Sequence, residues 1–394
     1  MMADKEKLTM MFKDDEVLSF EVDYKNQTVH FLQALEHFDK APYGVKNNDD
    51  KEIALIKFFN GRSISPFRID YEKIIKIIGV ENGYELAFKG HGLSLSNHYW
   101  FKREGESLKY DEVSFFKNGW DDTFGKAVLS EDYEALKSCD LNVPDIVTSG
   151  WGVKAWLNEG KPKLYKLGID EEHPEEAICE VLASKIGQRL FKNGEVSKYE
   201  LKEKYGRFAS VSETIVGENE ELVPMSSILP LDLIHLYHNR NSNKEFSKEF
   251  INELARSHRK DLYDFFVKVA CFRSLCFISD LHMDNLCAIR NVETEEIRVA
   301  PILDLGGAFG STKSGRNLIA NANKGTFLII YFLFADLDPS WDYSWYDPHS
   351  LDGAEEEIRE YLSKSAFYTP DIIQCALDIY RHQKQSLDEM KHSK

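Results

Sequence analysis

The chain predicts an α+β fold in two lobes, preceded by an N-terminal α/β extension. Three observations carry that expectation. Lys163–Gly168 reads as a strand with Lys166 inside it, and an apolar helical pattern bearing Glu180 follows. Asp280 is followed five positions on by Asn285, and two apolar runs separated by a polar turn come next. The second run ends in Asp304-Leu-Gly-Gly307.

The stretch from Cys276 to Gly310 organises the rest. Leu286–Ile289 and Ile297–Leu303 read as a β-hairpin around the turn Asn291–Glu296. Such a hairpin returns Asp304 to the side of Asp280 and Asn285, so two carboxylates and an amide oxygen converge. Hard cations such as Mg²⁺ take oxygen ligands and share them with substrate phosphates. Phosphoryl transfer also needs a carboxylate beside the attacking hydroxyl. In protein kinases a catalytic-loop Asp precedes an Asn at this spacing, and a second Asp comes later, before glycine. Asp280 is then the base, and Asn285 and Asp304 the metal ligands. The bland alternative is loop capping, for which Asp and Asn are common. His282 reads as an orienting hydrogen-bond partner within the loop, since one histidine without a second cluster is weak evidence for zinc.

Composition narrows the classes. The 394 residues suffice for two or three domains, and 43% hydrophobic content supports a large core. A net charge of −17 speaks against a broad nucleic-acid surface, which depends on Lys and Arg neutralising phosphates. The six cysteines form no C-x-x-C pair and most lie in apolar runs, which suits a reducing cytoplasm without disulfides. The N-terminal residues lack the apolar region of a signal peptide. The longest strongly apolar run, Phe327–Ala335, is too short to cross a bilayer as a helix, so no membrane role is expected.

In chain order, residues 17–24 alternate as a half-buried strand and 29–35 continue a sheet. Lys51–Asn60 and Tyr71–Gly79 read as helices. Leu93–Trp100 opens an aromatic-rich stretch, of the kind that builds cores and interdomain seams. This first region carries no motif with a mechanism and reads as a packing or partner-binding module. Thr148, Ser149, Gly150 and Gly152 form a small, flexible segment between β-like runs. Glycines let backbone N–H groups approach phosphate oxygens, and Lys154 adds charge to that cradle. The Walker pattern is absent, which excludes a P-loop NTPase. Lys166 is either a solvent-facing edge residue or a buried cation awaiting an anion. Glu180 either reaches it, as the helix glutamate reaches the strand lysine in kinases, or lies on the surface. Phe208–Val211 is a strand, Val216–Pro224 an acidic turn, and Leu231–His238, Lys248–His258 and Asp261–Phe277 are helices. Ser311–Thr326 reads as a loop near the site. Two helices close the chain, Ala354–Ser363 and one opening at Thr369-Pro370, and the last residues are expected to fray.

At this point the chain resembles HipA-like serine/threonine kinases, known as toxins of bacterial toxin–antitoxin systems. Arg62-Ser-Ile-Ser-Pro-Phe-Arg68 and Leu93-Ser-Leu-Ser-Asn-His-Tyr-Trp100 resemble segments preceding the kinase core in one branch. Ser149-Gly-Trp-Gly-Val-Lys154 resembles the Gly-rich phosphate loop, Lys163–Gly168 the ATP-lysine strand, and Glu180-Val-Leu-Ala-Ser-Lys185 the helix after it. Asp280-Leu-His-Met-Asp-Asn285 is similar to the D-x-H-x-x-N catalytic loop, the most specific of these. The family usually has an Asn two residues before that Asp, where this chain has Ile278.

The resemblance implies a two-lobed protein-kinase-like fold with an N-terminal subdomain over residues 1–138, an N-lobe over 139–228 and a mainly helical C-lobe over 229–394. It implies ATP and Mg²⁺ as cofactors, with Lys166 on the phosphates, Ser149–Lys154 covering them, Asp280 as base, and Asn285 and Asp304 on magnesium. It further implies a protein substrate, an antitoxin partner, and autophosphorylation at Ser149 or Thr148. The alternatives are a small-molecule kinase, a non-catalytic kinase-fold scaffold and, more distantly, a metal-dependent hydrolase using His282.

Overall fold

A computed structural model describes residues 5–168, 173–237, 248–257, 259–321 and 337–392. The apolar run Phe327–Ala335 and the end of the expected loop, residues 322–326, lie outside these. So do His238 and His258, the expected last residues of two helices.

The N-terminal sheet is antiparallel, with β1 (Lys5–Phe12), β2 (Asp15–Asp23), β3 (Thr28–Ala34) and β4 (Tyr99–Arg103) in the order β3-β2-β1-β4. The alternation of residues 17–24 places Leu18, Phe20 and Val22 inside, as its period of two requires. β1 was not legible in the sequence, because Lys5, Glu6 and Lys7 mask its apolar half. Against the sheet pack α1 (Lys51–Asn60) and α3 (Gly83–Lys89), with α2 (Tyr71–Ile78) between them in sequence. Asp50 caps α1 by accepting the Ile53 N–H at 3.0 Å, and α2 ends at Gly79 with φ +74°. The aromatic stretch does build a core: Phe59 lies 4.9 Å from Phe20 and 4.8 Å from Phe101, centroid to centroid.

A second antiparallel sheet follows α4 (Thr123–Ser130). It comprises β5 (Lys154–Asn158), β6 (Pro162–Leu167), β7 (Glu200–Lys204) and β8 (Arg207–Glu213), ordered β5-β6-β8-β7. One long helix, α5 (Glu175–Leu190), connects β6 to β7. The upper face of this sheet, with Ala155, Leu157, Tyr165, Leu167, Ala209 and Val211, shares one core with Ile74, Phe124 and Val128 from α2 and α4. Helices α2 and α4 therefore roof the second sheet.

The third sheet, ordered β11-β10-β9, joins β9 (Glu220–Pro224) to the hairpin of β10 (Cys287–Asn291) and β11 (Ile297–Val299). Helices α6 (Leu231–Tyr237), α7 (Lys248–Arg256), α8 (Lys260–Leu275), α9 (Lys313–Asn321), α10 (Ala354–Leu362) and α11 (Pro370–His392) surround the largest core, centred on Phe266, Phe272, Ile278 and Ala376.

Several expectations need correction. The segment before the Gly-rich loop is a 3₁₀ turn, Pro144–Val147, so the loop joins a turn to β5. The expected turn Val216–Pro224 ends in β9, because Glu221 is neutralised by Arg290 at 2.9 Å and Leu222 and Val223 pack inward. Part of the expected loop Ser311–Thr326 is α9, whose Gly315 N–H donates to Thr312 Oγ1 at 3.1 Å. The returning strand stops at Val299, not Leu303. The closing helix, for which the sequence sets no end, runs to His392, where Lys391 Nζ donates to the carbonyls of Tyr343 and Ser344, each at 2.9 Å, and the last two residues lie outside those described.

Candidate active site

The strand period that buries the upper face of the second sheet turns Lys154, Lys166 and Ser210 to its underside. Register sets them in one row, with Lys154 opposite Lys166 and Lys166 opposite Ser210. Two lysines directly opposed repel each other unless anions neutralise them. α5 supplies one anion. Glu180 is 2% exposed, so it is a buried residue and not a surface one. Its Oε1 accepts from Lys166 Nζ at 2.8 Å and from the Leu305 N–H at 3.3 Å, and Oε2 accepts from the Ser210 hydroxyl. Asp304 supplies the other, with Oδ1 2.8 Å from Lys166 Nζ.

Burial pushes the Lys166 ammonium down, but the attraction of Asp304 and Glu180 outweighs it and holds its pKa well above the ordinary value. Lys166 in turn holds the Asp304 carboxyl down at about 2. Lys154 differs. It makes no hydrogen bond or ion pair among the described residues, and burial, with repulsion from Lys166, lowers its pKa to about 8. A half-buried cation of this kind is a ready anion partner.

Asp304 sits just beyond β11 with φ +58°, a left-handed conformation that Asp tolerates better than most residues. Its N–H donates to Tyr199 Oη at 3.2 Å. The following glycines let this segment touch the loop of Asp280. The Ser279 N–H donates to the Gly307 carbonyl at 3.1 Å. A Cβ on Gly307 would stand 3.1 Å from Asp280 Cβ and 3.2 Å from its backbone nitrogen. Within the loop, Asn285 Nδ2 donates to the Asp280 carbonyl at 2.8 Å, which leaves Asn285 Oδ1 as the acceptor end. His282 Nε2 lies 3.6 Å from Asp280 Oδ1, and His282 Nδ1 accepts from the Asp284 N–H at 3.3 Å. The loop is tethered from outside by Tyr237, whose hydroxyl donates to the Leu281 carbonyl. Ile278 is fully buried in the helical core, so the loop takes its anchorage from Ser279 and Tyr237.

The Gly-rich segment folds over Lys154. Gly150 has φ +101°, and a Cβ there would lie 2.6 Å from Lys154 Nζ. Ser149 is exposed. Thr148 is buried, its hydroxyl donating to the Asp145 carbonyl and accepting from Arg68 Nη1, both at 2.8 Å.

Two cavities meet at this centre. The inner one, about 260 Å³, lies between the sheet underside and Leu222, with Ser212–Val216 at its back and Ser94–Ser96 as a wall. The outer one, about 900 Å³, is bounded by Gly150–Val153, Glu176, Asp280 and the start of α9. Lys154, Lys166 and Asp304 line both. The expected residues Ser149, Gly150, Gly152, Lys154, Lys166, Glu180, Asp280 and Asp304 thus border one continuous space. Asn285 and His282 stand beside Asp280 but line neither cavity.

Other contributors were not read from the sequence. The Ser94–Ser96 wall belongs to the region that reads as a packing or partner-binding module. Arg68 reaches Thr148, and Tyr199 meets Asp304 and Lys166, through contacts made across the fold. Glu176 precedes Glu180 by one helical turn, and burial raises its carboxyl to about 7. The repeated serines of Leu93–Asn97 were the one available signal.

The residues fit a nucleotide's phosphates, because Lys154 and Lys166 project from adjacent strands into the space that the two cavities share. A divalent ion has Asp304 and Asn285 Oδ1 available. Among the described residues no group of three or more His, Cys, Asp or Glu side chains forms a ready-made metal site, and His282 has no zinc-type cluster around it.

Two lobes, a roofed sheet bearing a lysine–glutamate pair and a helical lobe carrying the acidic loops define an α+β kinase-like fold. Its particular form is HipA-like. HipA of Shewanella oneidensis MR-1, solved as a toxin–antitoxin system complex with HipB and its operator DNA, is 14% identical, with a TM-score of 0.52; the match covers 98% of this chain and 99% of that one. The Helicobacter pylori proinflammatory kinase CtkA is 13% identical with a TM-score of 0.42, over 61% of this chain and 90% of its own. No protein-family model matches the chain, and no curated protein does.

Proposed function

We propose that the chain is an ATP- and Mg²⁺-dependent serine/threonine protein kinase of the HipA type. The observation that carries this reading is the Lys166 bridge between Glu180 and Asp304, beside Lys154, which has no ion-pair partner among the described residues, and facing the cavity of Asp280. The nucleotide base occupies the inner cavity, and the phosphates lie under Ser149–Gly152 against Lys154 and Lys166. Asp280 receives the proton of the acceptor hydroxyl, which enters through the outer cavity, and His282 orients the loop. Asp304 and Asn285 hold magnesium, which neutralises phosphate charge when bound. By the same reading residues 1–138, 139–228 and 229–394 act as N-terminal subdomain, N-lobe and C-lobe.

The HipA neighbour was solved with HipB and DNA, which supports an antitoxin partner here. With a net charge of −17, any contact of this chain with DNA runs through that partner. The test is incubation with labelled ATP, Mg²⁺ and a cell lysate, comparing the native chain with Asp280→Ala at equal nucleotide occupancy. Label on a protein with the native chain alone is expected. Nucleotide binding without transfer in either would favour the scaffold reading.

A further inference from the structure

We infer that the segment Ser65–Asp70 latches the Gly-rich loop closed, with Arg68 and Phe67 as positioning residues for the phosphates of a bound nucleotide. The inference rests on the kinase reading above.

Three consecutive residues of this segment hold the two ends of the loop. The Arg68 side chain is fully buried, and its Nε and Nη2 donate to Asp70 Oδ1 and Oδ2 at 2.6 and 3.0 Å. That bidentate pair fixes the guanidinium plane. The remaining Nη1 reaches Thr148 Oγ1 at the start of the loop, at 2.8 Å. At the other end the Ile69 N–H donates to the Trp151 carbonyl at 3.4 Å. The Phe67 and Trp151 rings stack at 5.8 Å with 20° between their planes.

Phe67, Ile69 and Trp151 are 71%, 60% and 75% exposed, so they are not there to fill a core. Their stacked arrangement is explained by what it fastens. Among the described residues, Ser149 to Gly152 makes no hydrogen bond other than that from Ile69. The loop over Lys154 is therefore held by the N-terminal region and not by its own strands.

A loop released from this latch loses its hold on phosphates. The inner cavity keeps its wall of Ser94–Ser96 and Leu222, while Thr148 and Ser149 line it from the loop side. The signature is weakened ATP binding with adenosine binding spared, which a merely structural lesion does not produce.

The full chain is titrated calorimetrically with Mg²⁺-ATP and with adenosine, for the native protein, Phe67→Ala, Thr148→Val and Thr148→Ser. Phe67 is exposed, so its removal leaves the fold intact, and thermal unfolding checks this for each variant. Phe67→Ala and Thr148→Val are each expected to weaken ATP about tenfold, the scale of one lost contact. Adenosine affinity stays within about twofold in Phe67→Ala, since Phe67 lines the outer cavity and not the inner one, and Thr148→Ser, which keeps the hydroxyl, retains ATP affinity. Equal losses for both ligands in Phe67→Ala, or unchanged ATP affinity in Phe67→Ala and Thr148→Val, overturn the latch. Failure of the native chain to bind either ligand overturns the nucleotide reading itself, and the latch with it.

Discussion

Lys166 Nζ meets Asp304 Oδ1 at 2.8 Å across 138 residues of sequence. The same ammonium meets Glu180 Oε1 at the same distance. Removing one partner of a buried pair leaves the other charge uncompensated, at a cost of about 3–5 kcal/mol. Asp304 is partly open to solvent, so the lower end applies, and most of the cost falls on Glu180, which is 2% exposed. Lys166→Met is expected to lower unfolding stability by about 3 kcal/mol and to abolish transfer. The double variant Lys166→Met/Glu180→Gln recovers part of the stability and none of the activity. Urea denaturation with a transfer assay separates the two effects. Additive losses would show that the pair is not coupled.

Lys154 predicts a pH dependence. Its pKa in the free protein is about 8, lowered by burial and by Lys166. A bound phosphate favours the charged form, so binding takes up a proton. ATP affinity is therefore highest below the free-state pKa and falls as pH rises through it. Between pH 7 and 9 the loss is about tenfold, since each pH unit above the pKa removes about a factor of ten of charged lysine. Adenosine binding stays flat over that range, and Lys154→Met removes the slope. A slope that persists in Lys154→Met assigns it to another group.

The parts legible in sequence were those where a short pattern determines its own environment. Lys166 in an apolar strand, Glu180 on a helix stripe, and Asp280, Asn285 and Asp304 around a hairpin all came from local periodicity and spacing. What stayed hidden depended on distant partners. β1 begins with Lys5, Glu6 and Lys7, and only pairing with β2 and β4 identifies it as a central strand. β9 reads as an acidic turn until Arg290 neutralises Glu221. Whether Glu180 faced solvent or Lys166 was open, because the helix pattern is silent on what packs above it. Arg68, 80 residues from Thr148, carries no local mark of its contact.

The loop offers two hydroxyls for autophosphorylation, and their surroundings differ. Thr148 is buried, with its oxygen engaged by Arg68 and by the Asp145 carbonyl. Ser149 is exposed and lines the inner cavity. Phosphate is expected on Ser149 alone after incubation with Mg²⁺-ATP, and Ser149→Ala eliminates it. Phosphopeptide mapping decides the matter, and modification of Thr148 in the native chain would contradict the buried geometry.

Gly307 sets the approach of the Asp304 segment to the Asp280 loop. A Cβ at this position would fall 3.0 Å from Ser279 Oγ, 3.1 Å from Asp280 Cβ and 3.2 Å from the Asp280 nitrogen. One of those neighbours is a hydroxyl that rotates away, but the backbone nitrogen moves only with the whole loop. Gly307→Ala therefore displaces Asp280 by a few tenths of an ångström relative to Asp304. Lys154 and Lys166 stand on the second sheet, and the three atoms nearest the added Cβ belong to Ser279 and Asp280. A displacement of about 1 Å in a reacting group costs about a hundredfold, so this smaller shift is expected to lower kcat about tenfold. KM for ATP changes little, because the groups proposed to bind the phosphates stay in place. Steady-state kinetics at saturating and limiting ATP separate the two constants. A rise in KM at constant kcat would place the role of Gly307 in nucleotide binding and not in setting the position of Asp280.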